Sequence, residues 1–411
     1  MLAATLFRQI IREGRLTLID AQGQRFTFGQ GDPAVTVRVT DRKTEFKIGA
    51  HPKLYLGEAY MDGRLVIEEG TLYDFLYICG RNVLRLENHP LWGVFERAGA
   101  LLRPLLYYNP VGRARKNVAH HYDLSGELYD LFLDDDWQYS CAYFYDPQGE
   151  TIEQAQQNKK RHIAAKLLLD RPGLEVLDIG SGWGGLGMYL AQEAGANVTG
   201  VTLSEEQIKK SRRRAKDAGL DEQVQFQLQD YRNLTGRYDR IVSVGMFEHV
   251  GTRHYHEFFQ KIHDLLADDG VALLHSIGRM SPPGSTNAWL RKYIFPGGYT
   301  PALSETLGVI ERRNLWVTDV EILRLHYAET IRRWYDRFQA NRDRVRELYD
   351  ERFCRMWEFY LIGCELSFRE MGQMVFQMQL TRQQDAVPLT RDYITDWERA
   401  QMDGRQSAAA E

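Results

Sequence analysis

The chain has no apolar run approaching the roughly 18 residues that a helix needs to cross a bilayer, so nothing in it reads as a membrane span. Cysteine is scarce. The four residues Cys79, Cys141, Cys354 and Cys364 have neither the paired spacing of a metal site nor the density of a disulfide scaffold, and a reducing cytoplasm is the simplest compartment. Neither sign of charge dominates. With 52 Lys and Arg against 56 Asp and Glu the formal net charge is −4, which excludes a general polyanion binder and removes nucleic acid from the expected partners. No internal repeat and no long low-complexity segment occurs. At the N-terminus Arg8, Arg12 and Arg15 interrupt Leu2, Leu6 and Ile10, the pattern of a short amphipathic helix and not of a signal peptide.

What remains is an ordinary globular composition, 44% hydrophobic and 26% charged over 411 residues. That length suits two domains at roughly 150 residues each. Basic residues cluster locally at Arg113–Lys116, Lys159–Arg161 and Lys209–Arg214. Such runs read as solvated helix faces, with contact to anionic lipid headgroups as the alternative, at about 1 kcal/mol per basic residue near such a surface.

The most informative stretch is Val176-Leu177-Asp178-Ile179-Gly180-Ser181-Gly182-Trp183-Gly184-Gly185. An apolar run ends at Asp178 and glycines follow before a helical pattern begins, which spells strand, tight turn and helix start. Gly180 and Gly182 let the chain turn close to a ligand, and Gly185 lets the helix pack near the strand. The helix N-terminus then offers free N–H groups to a carboxylate or phosphate. The second strand, Asn197 to Leu203, ends in Thr202-Leu203-Ser204 with Gln207 one turn on, and not in the Asp or Glu expected of a nicotinamide dehydrogenase. Nucleoside binding survives and the dinucleotide reading weakens. The third strand, Val224 to Leu228, leads to Asp230-Tyr231, a carboxylate for an adenine amino group beside an aromatic for its ring. The fourth, Tyr238 to Val244, leads to Glu248-His249, and the fifth, Gly270 to Leu274, to His275-Ser276-Ile277. Polar groups thus gather at the carboxyl ends of consecutive strands, where open α/β sheets bind ligands. The expected fold class is α/β, a Rossmann-like class I methyltransferase sheet with a helical lid insertion, preceded by a smaller α+β N-terminal domain.

In this reading residues 1–105 form the N-terminal domain, with strands at Leu16–Ile19, Arg25–Phe28 and Val35–Val39 and helices at Leu72–Cys79 and Leu91–Leu106. Residues 106–116 are the linker, and 117–411 the catalytic domain, closed by a final strand at Val375–Leu380. The stretch between the fifth and final strands is too long for one crossover. It opens on the aromatic run Trp289 to Tyr299, continues in helices at Ala328–Gln339 and Glu351–Glu370, and is a natural lid for an apolar substrate.

Taken in order, several stretches carry a family resemblance: Gly57-Glu58-Ala59-Tyr60-Met61-Asp62-Gly63, His121-Tyr122-Asp123-Leu124-Ser125, Tyr139-Ser140-Cys141-Ala142-Tyr143-Phe144, the glycine turn, Phe247-Glu248-His249-Val250-Gly251, Tyr293-Ile294-Phe295-Pro296-Gly297-Gly298 and His326-Tyr327. The chain resembles the cyclopropane-fatty-acid-acyl-phospholipid synthases, relatives of the mycolic acid cyclopropane synthases, over nearly its whole length. The resemblance implies transfer of a methylene group from S-adenosylmethionine to the cis double bond of an unsaturated phospholipid acyl chain in the bilayer. It also implies a bicarbonate ion held by Cys141, Glu248, His275, Ile277 and Tyr327. Cofactor contacts would come from Tyr139, Ser140, Asp178, Gly180, Gly182, Gly184, Gly185, Thr202, Leu203, Ser204, Gln207, Asp230 and Tyr231. Cys364 matches a cysteine discussed as catalytic in the family and is a candidate catalytic residue on that ground, although its helical setting also suits a core position and this chemistry needs no covalent enzyme intermediate. Ser181 stands where many relatives have cysteine. A protein peripheral to the inner face of the membrane is expected, with the N-terminal domain presenting phospholipid or mediating homodimerisation.

The residue types suit the chemistry. An alkene is a poor nucleophile, so the methyl donor and double bond must be held at near-attack distance. Water would quench the resulting carbocation, so the site must be dry, and aromatic faces at Tyr143, Phe144, Tyr293, Phe295 and Tyr299 are expected to stabilise the cation. Bicarbonate would take the proton that lets the ring close, with Glu248 accepting its hydroxyl proton and Tyr327, His275 and Cys141 orienting it. Two other functions fit less of the sequence: methylation of a lipid or small molecule without ring closure, and non-catalytic lipid binding on the same fold.

Overall fold

A computed structural model describes residues 2–83 and 126–410, the last seven as helical backbone only. The expected linker at 106–116, the helix at 91–106, the basic run Arg113–Lys116 and the motif His121–Ser125 lie outside the described residues. The chain divides into two compact units. The first draws on Met1–Leu106, Gly284–Pro296 and Ala328–Gln373, and the second on Tyr107–Pro283, Gly297–Tyr327 and Met374–Glu411.

In the first unit an amphipathic helix, α1 (Leu2–Ile10), precedes the strands β1 (Glu13–Ile19), β2 (Arg25–Phe28), β3 (Gln30–Val39) and β4 (Leu65–Glu69), which form one sheet in the order β2-β1-β3-β4. Alternation along β1 turns Leu16 and Leu18 inward and Arg15 outward, so the strand's apolar face meets the core. Helices Arg42–Ala50 and Leu72–Arg81 start where Asp41 and Thr71 accept hydrogen bonds from the first-turn N–H groups. Ile362 and Leu366 of helix Glu351–Glu370 are buried in the same core. The aromatic run packs here too. A Cβ at Gly57 would stand 2.5 Å from the Trp289 indole, so only glycine admits that ring. Glu58 accepts from Lys292 Nζ at 2.6 Å and from the Tyr293 hydroxyl at 2.9 Å. The stretch Gly57–Gly63 is therefore the docking surface of Trp289–Tyr293. The catalytic stretch expected to run unbroken over 117–411 is interrupted twice, because the apolar faces of 284–296 and 328–373 find their burial against N-terminal residues.

The second unit holds a seven-stranded sheet in the order β10-β11-β9-β8-β5-β6-β7. Its strands are β5 (Glu175–Ile179), β6 (Asn197–Thr202), β7 (Val224–Leu228), β8 (Tyr238–Val244), β9 (Leu266–Arg279), β10 (Trp316–Ile322) and β11 (Gln373–Thr381). Strands β5 to β9 pair in parallel, and β10 and β11 pair antiparallel at one edge. Consecutive residues face opposite ways, with Val176, Val242 and Leu273 in one core cluster and Leu177, Ile241 and Leu274 in the other. The strand order reverses between β5 and β8. A crevice opens at such a switch point, outside the carboxyl ends of the strands.

Candidate functional site

The glycine turn lies at that point. Gly180, Gly182 and Gly184 all have positive φ, at 85°, 53° and 85°, and Gly185 begins helix Gly185–Ala194. Each glycine has its own reason. A Cβ at Gly180 would sit 2.8 Å from Met246, and one at Gly184 2.6 Å from Phe226, whereas one at Gly182 would meet nothing within 4 Å and would project into open space. Beside the turn is a cleft lined by Gly180, Gly182, Thr202, Leu203, Gln207, Asp230 and Tyr231, residues the resemblance assigns to the cofactor, and also by Met246 and His249. Thr202 donates from its hydroxyl to Gln207 Oε1 at 2.6 Å, and Ser204 caps helix Glu205–Asp217 by accepting from the Gln207 N–H. Asp230 is shared differently from the expectation. Burial raises its carboxyl, but the Arg232 guanidinium, which donates at 2.9 and 2.7 Å, brings it below the usual range, so an adenine amino group would compete for its remaining lone pairs. Arg232 shows no such role in the sequence, since a lone arginine after a strand has no spacing signature.

Asp178, at the end of β5, is 2% exposed, and its Oδ2 has no hydrogen-bond partner among the described residues. Burial pushes its carboxyl up to about 7. An orphaned buried carboxylate oxygen by an open glycine turn fits a ligand that brings its own cation, and S-adenosylmethionine carries an α-ammonium group. On the far side of the turn the segment 134–141 folds over Gly185, where a Cβ would meet the Asp136 and Gln138 side chains at 2.4 Å. Tyr139 packs edge-on against Tyr129, and Ser140 Oγ accepts from Lys159 Nζ at 2.8 Å. The run Lys159–Arg161 is thus no solvated helix face: all three side chains are buried, because Gln138, Ser140, Asp136 and Asn158 supply polar partners inside. The run at Lys209–Arg214 is mixed. Lys209 and Arg213 are exposed, while Arg214 pairs with Asp136 and Lys210 lies over the Trp137 ring.

Glu248, in a short 3-10 turn after β8, accepts from the Ile277 N–H at 2.6 Å through Oε1, and its buried Oε2 has no partner among the described residues. Burial pushes the carboxyl up to about 7. His275 sits two residues before Ile277 on β9, opposite Val244, and its Nδ1 lies 3.2 Å from the Gln377 amide. Burial, aided by the charges of Lys159, Lys166 and His162, pushes its imidazole down to about 3, so it is neutral. The structure therefore joins Glu248, His275 and Ile277 at the ends of β8 and β9. The resemblance assigns Ile277 to bicarbonate, and its N–H here donates to Glu248. Cys141 is buried, with Sγ 3.3 Å from the Ala142 carbonyl. Its segment is tied to the Tyr327 corner, since the Phe144 N–H donates to His326 Nδ1 at 3.0 Å. Cys364 belongs to the first unit, and burial pushes its thiol up to about 12, leaving it protonated and weakly nucleophilic.

Tyr143 cannot offer its ring to a carbocation. It stacks on His162 at 4.2 Å and on His326 at 4.7 Å, and two near-parallel rings that close must occupy opposite faces. His162 is held by Glu398 through Nδ1 and by Glu321 through Nε2, each at 2.7 Å. Burial lowers its imidazole, but the two carboxylates outweigh that and raise it above 6.5. A raised folded value means that the stabilisation is complete below 6.5 and is lost as pH rises through the folded value. The melting temperature of the wild type is expected to fall over that alkaline range, and that of His162→Gln to stay flatter. Parallel thermal melts from pH 6 to 10 check this.

The chain matches the family described as mycolic acid cyclopropane synthetase over residues 111–378. A relative described as a cyclopropane-fatty-acyl-phospholipid synthase from Escherichia coli K12 is 37% identical, covering 86% of this chain and 89% of its own. A probable fatty acid methyltransferase from Pseudomonas putida is 36% identical, covering 87% and 88%. Among solved structures, the mycolic acid cyclopropane synthase CmaA1 complexed with SAH and CTAB superposes with a TM-score of 0.61 at 33% identity, covering 66% of this chain and 99% of its own.

Proposed function

The chain belongs to the cyclopropane synthase family of S-adenosylmethionine-dependent methyltransferases, and on that premise we propose that it converts the cis double bond of an unsaturated phospholipid acyl chain into a cyclopropane ring. The observation that carries this reading is Glu248: a buried carboxyl with one oxygen fixed by Ile277 and the other without a hydrogen-bond partner among the described residues, beside a neutral His275. When bound, S-adenosylmethionine supplies the electrophilic methyl group. Glu248, His275, Cys141, Ile277 and Tyr327 would hold bicarbonate, which would serve as proton acceptor. Glu248 Oε2 is the open acceptor, and burial near neutrality suits it to exchange a proton. Thr202, Gln207, Asp230 and Tyr231, which line the cleft beside the glycine turn, would hold the nucleoside end of the cofactor. Because the substrate lies in a bilayer, the enzyme works at the membrane surface; no helix of the described residues is long and apolar enough to cross one.

The test is mass spectrometry of vesicles of cis-unsaturated phospholipid incubated with the protein, bicarbonate and S-adenosylmethionine. Gain of one CH2 with loss of the double bond supports ring formation. A second reading, methylation without ring closure, draws on the relative described as a fatty acid methyltransferase. A methylated product that keeps its double bond would select it.

A further inference from the structure

Lys159 is a cation that its surroundings leave unbalanced. It sits on helix Ile152–Lys166, 1% exposed, and its Nζ donates to Gln138 Oε1 at 2.6 Å and Ser140 Oγ at 2.8 Å, both neutral. Among the described residues no carboxylate lies within ion-pair distance of it. Neighbouring Lys160, by contrast, pairs with Asp136. A buried ammonium with only neutral partners is costly, and burial pulls this one down to about 8, with Asp134 and Asp136 opposing and Lys160 assisting. An ammonium group has three donors, so its two partners among the described residues leave one unused.

Its position explains the imbalance. Gln138, which Lys159 holds, stands against Gly185 at the end of the glycine turn, and Ser140 is the next but one residue. The charge of Lys159 reaches Asp178, the orphaned carboxylate at the start of that turn. One buried ammonium and one buried carboxyl, neither paired with the other by a hydrogen bond, thus flank the glycine turn. An α-amino acid is the complementary object, since it presents a carboxylate and an ammonium on one carbon.

We propose that Lys159 binds the α-carboxylate of S-adenosylmethionine, with Ser140 and Gln138 fixing its ammonium and Asp178 receiving the cofactor's α-ammonium, so that this pair selects for the intact amino-acid end of the ligand. The assignment rests on S-adenosylmethionine being the cofactor and is independent of the acceptor that receives the methyl group. Bicarbonate offers similar carboxylate chemistry, and the experiment separates the two.

The probes are S-adenosylhomocysteine, its decarboxylated analogue and 5′-methylthioadenosine, titrated calorimetrically into the full chain without bicarbonate and again with it. A hydrogen bond to a charged group is worth about 1.5–3 kcal/mol, so the wild type is expected to prefer S-adenosylhomocysteine over the decarboxylated analogue by about 10- to 100-fold. Lys159→Met is expected to lose that preference by weakening S-adenosylhomocysteine alone, and Lys159→Arg to restore part of it. Unchanged affinity for methylthioadenosine shows that the variant is folded. Equal wild-type affinity for the carboxylated and decarboxylated ligands would overturn the assignment, and so would a Lys159→Met variant that weakens all three probes equally. A Lys159→Met effect seen only with bicarbonate present would move the lysine to that anion and overturn it as well. If the wild type binds none of the three nucleosides, the cofactor reading itself fails and this assignment falls with it.

Discussion

The Glu248→Gln variant is expected to lose about 10²- to 10⁴-fold in kcat, the range that positioned acid–base groups contribute, while binding S-adenosylhomocysteine as tightly as the wild type. Gln fills the same volume and can still accept from the Ile277 N–H, so the turn after β8 stays formed. What disappears is a group able to take and return a proton near neutrality. In the wild type kcat is expected to rise with pH through about 7, where the buried carboxyl ionises, and the variant should lack that limb. Stability should move the other way. A carboxyl raised by burial contributes stability that is complete below 4.5 and lost as pH climbs through about 7. Above pH 7 the neutral amide removes that loss, so the variant should melt no lower than the wild type. Turnover measured by lipid mass spectrometry, calorimetry and thermal melts decide the matter together. Near-normal turnover would take Glu248 out of the reaction.

The Gly182→Ala variant should lose about 10- to 100-fold in S-adenosylhomocysteine affinity, since an extra methyl forced into a close contact costs roughly 1–3 kcal/mol. Its Cβ would touch no protein atom, so the folded protein bears only the left-handed backbone, at about 1–2 kcal/mol. The space entered is the cleft. Gly173 provides the control, with φ of 76° and an equally open Cβ, but outside the cleft lining. Gly173→Ala should lower the melting temperature by a similar amount and leave cofactor affinity alone. If both variants bind equally well, the cofactor does not use the turn as described.

Much of both sheets was legible because apolar residues recur along the strands, alternating with polar ones in β2 and β7, and turn residues bound them. The expected ranges for β2, β7 and β8 coincide with the observed ones, and β11 extends the expected run at both ends. Strand β10 stayed hidden for a physical reason. Its run Trp316–Ile322 carries Asp319 and Glu321, charges that argue against a buried strand unless their partners are known. Those partners, Lys166, His162 and Arg391, come from remote parts of the chain. Strand β4, with two glutamates in five residues, hid in the same way. At the site, Asp178, Glu248 and the glycines could be read from their place after strands, because strand ends define where ligands bind. Lys159 could not. A lysine in a run of three basic residues looks solvated, and only folding shows that its helix turns that run inward.

The Trp289 docking and the burial of Ile362 and Leu366 carry a lesson for anyone cutting or recombining this protein. The portion that accompanies the N-terminal sheet is written in three separate passages of the sequence, so no single pair of scissors removes it. A chimera that exchanges the N-terminal passage alone would set a foreign surface against the indole of Trp289 and would need a residue without a side chain where Gly57 stands. The transferable cassette is the three passages together, and shuffling at the visible sequence boundary would strand two of them.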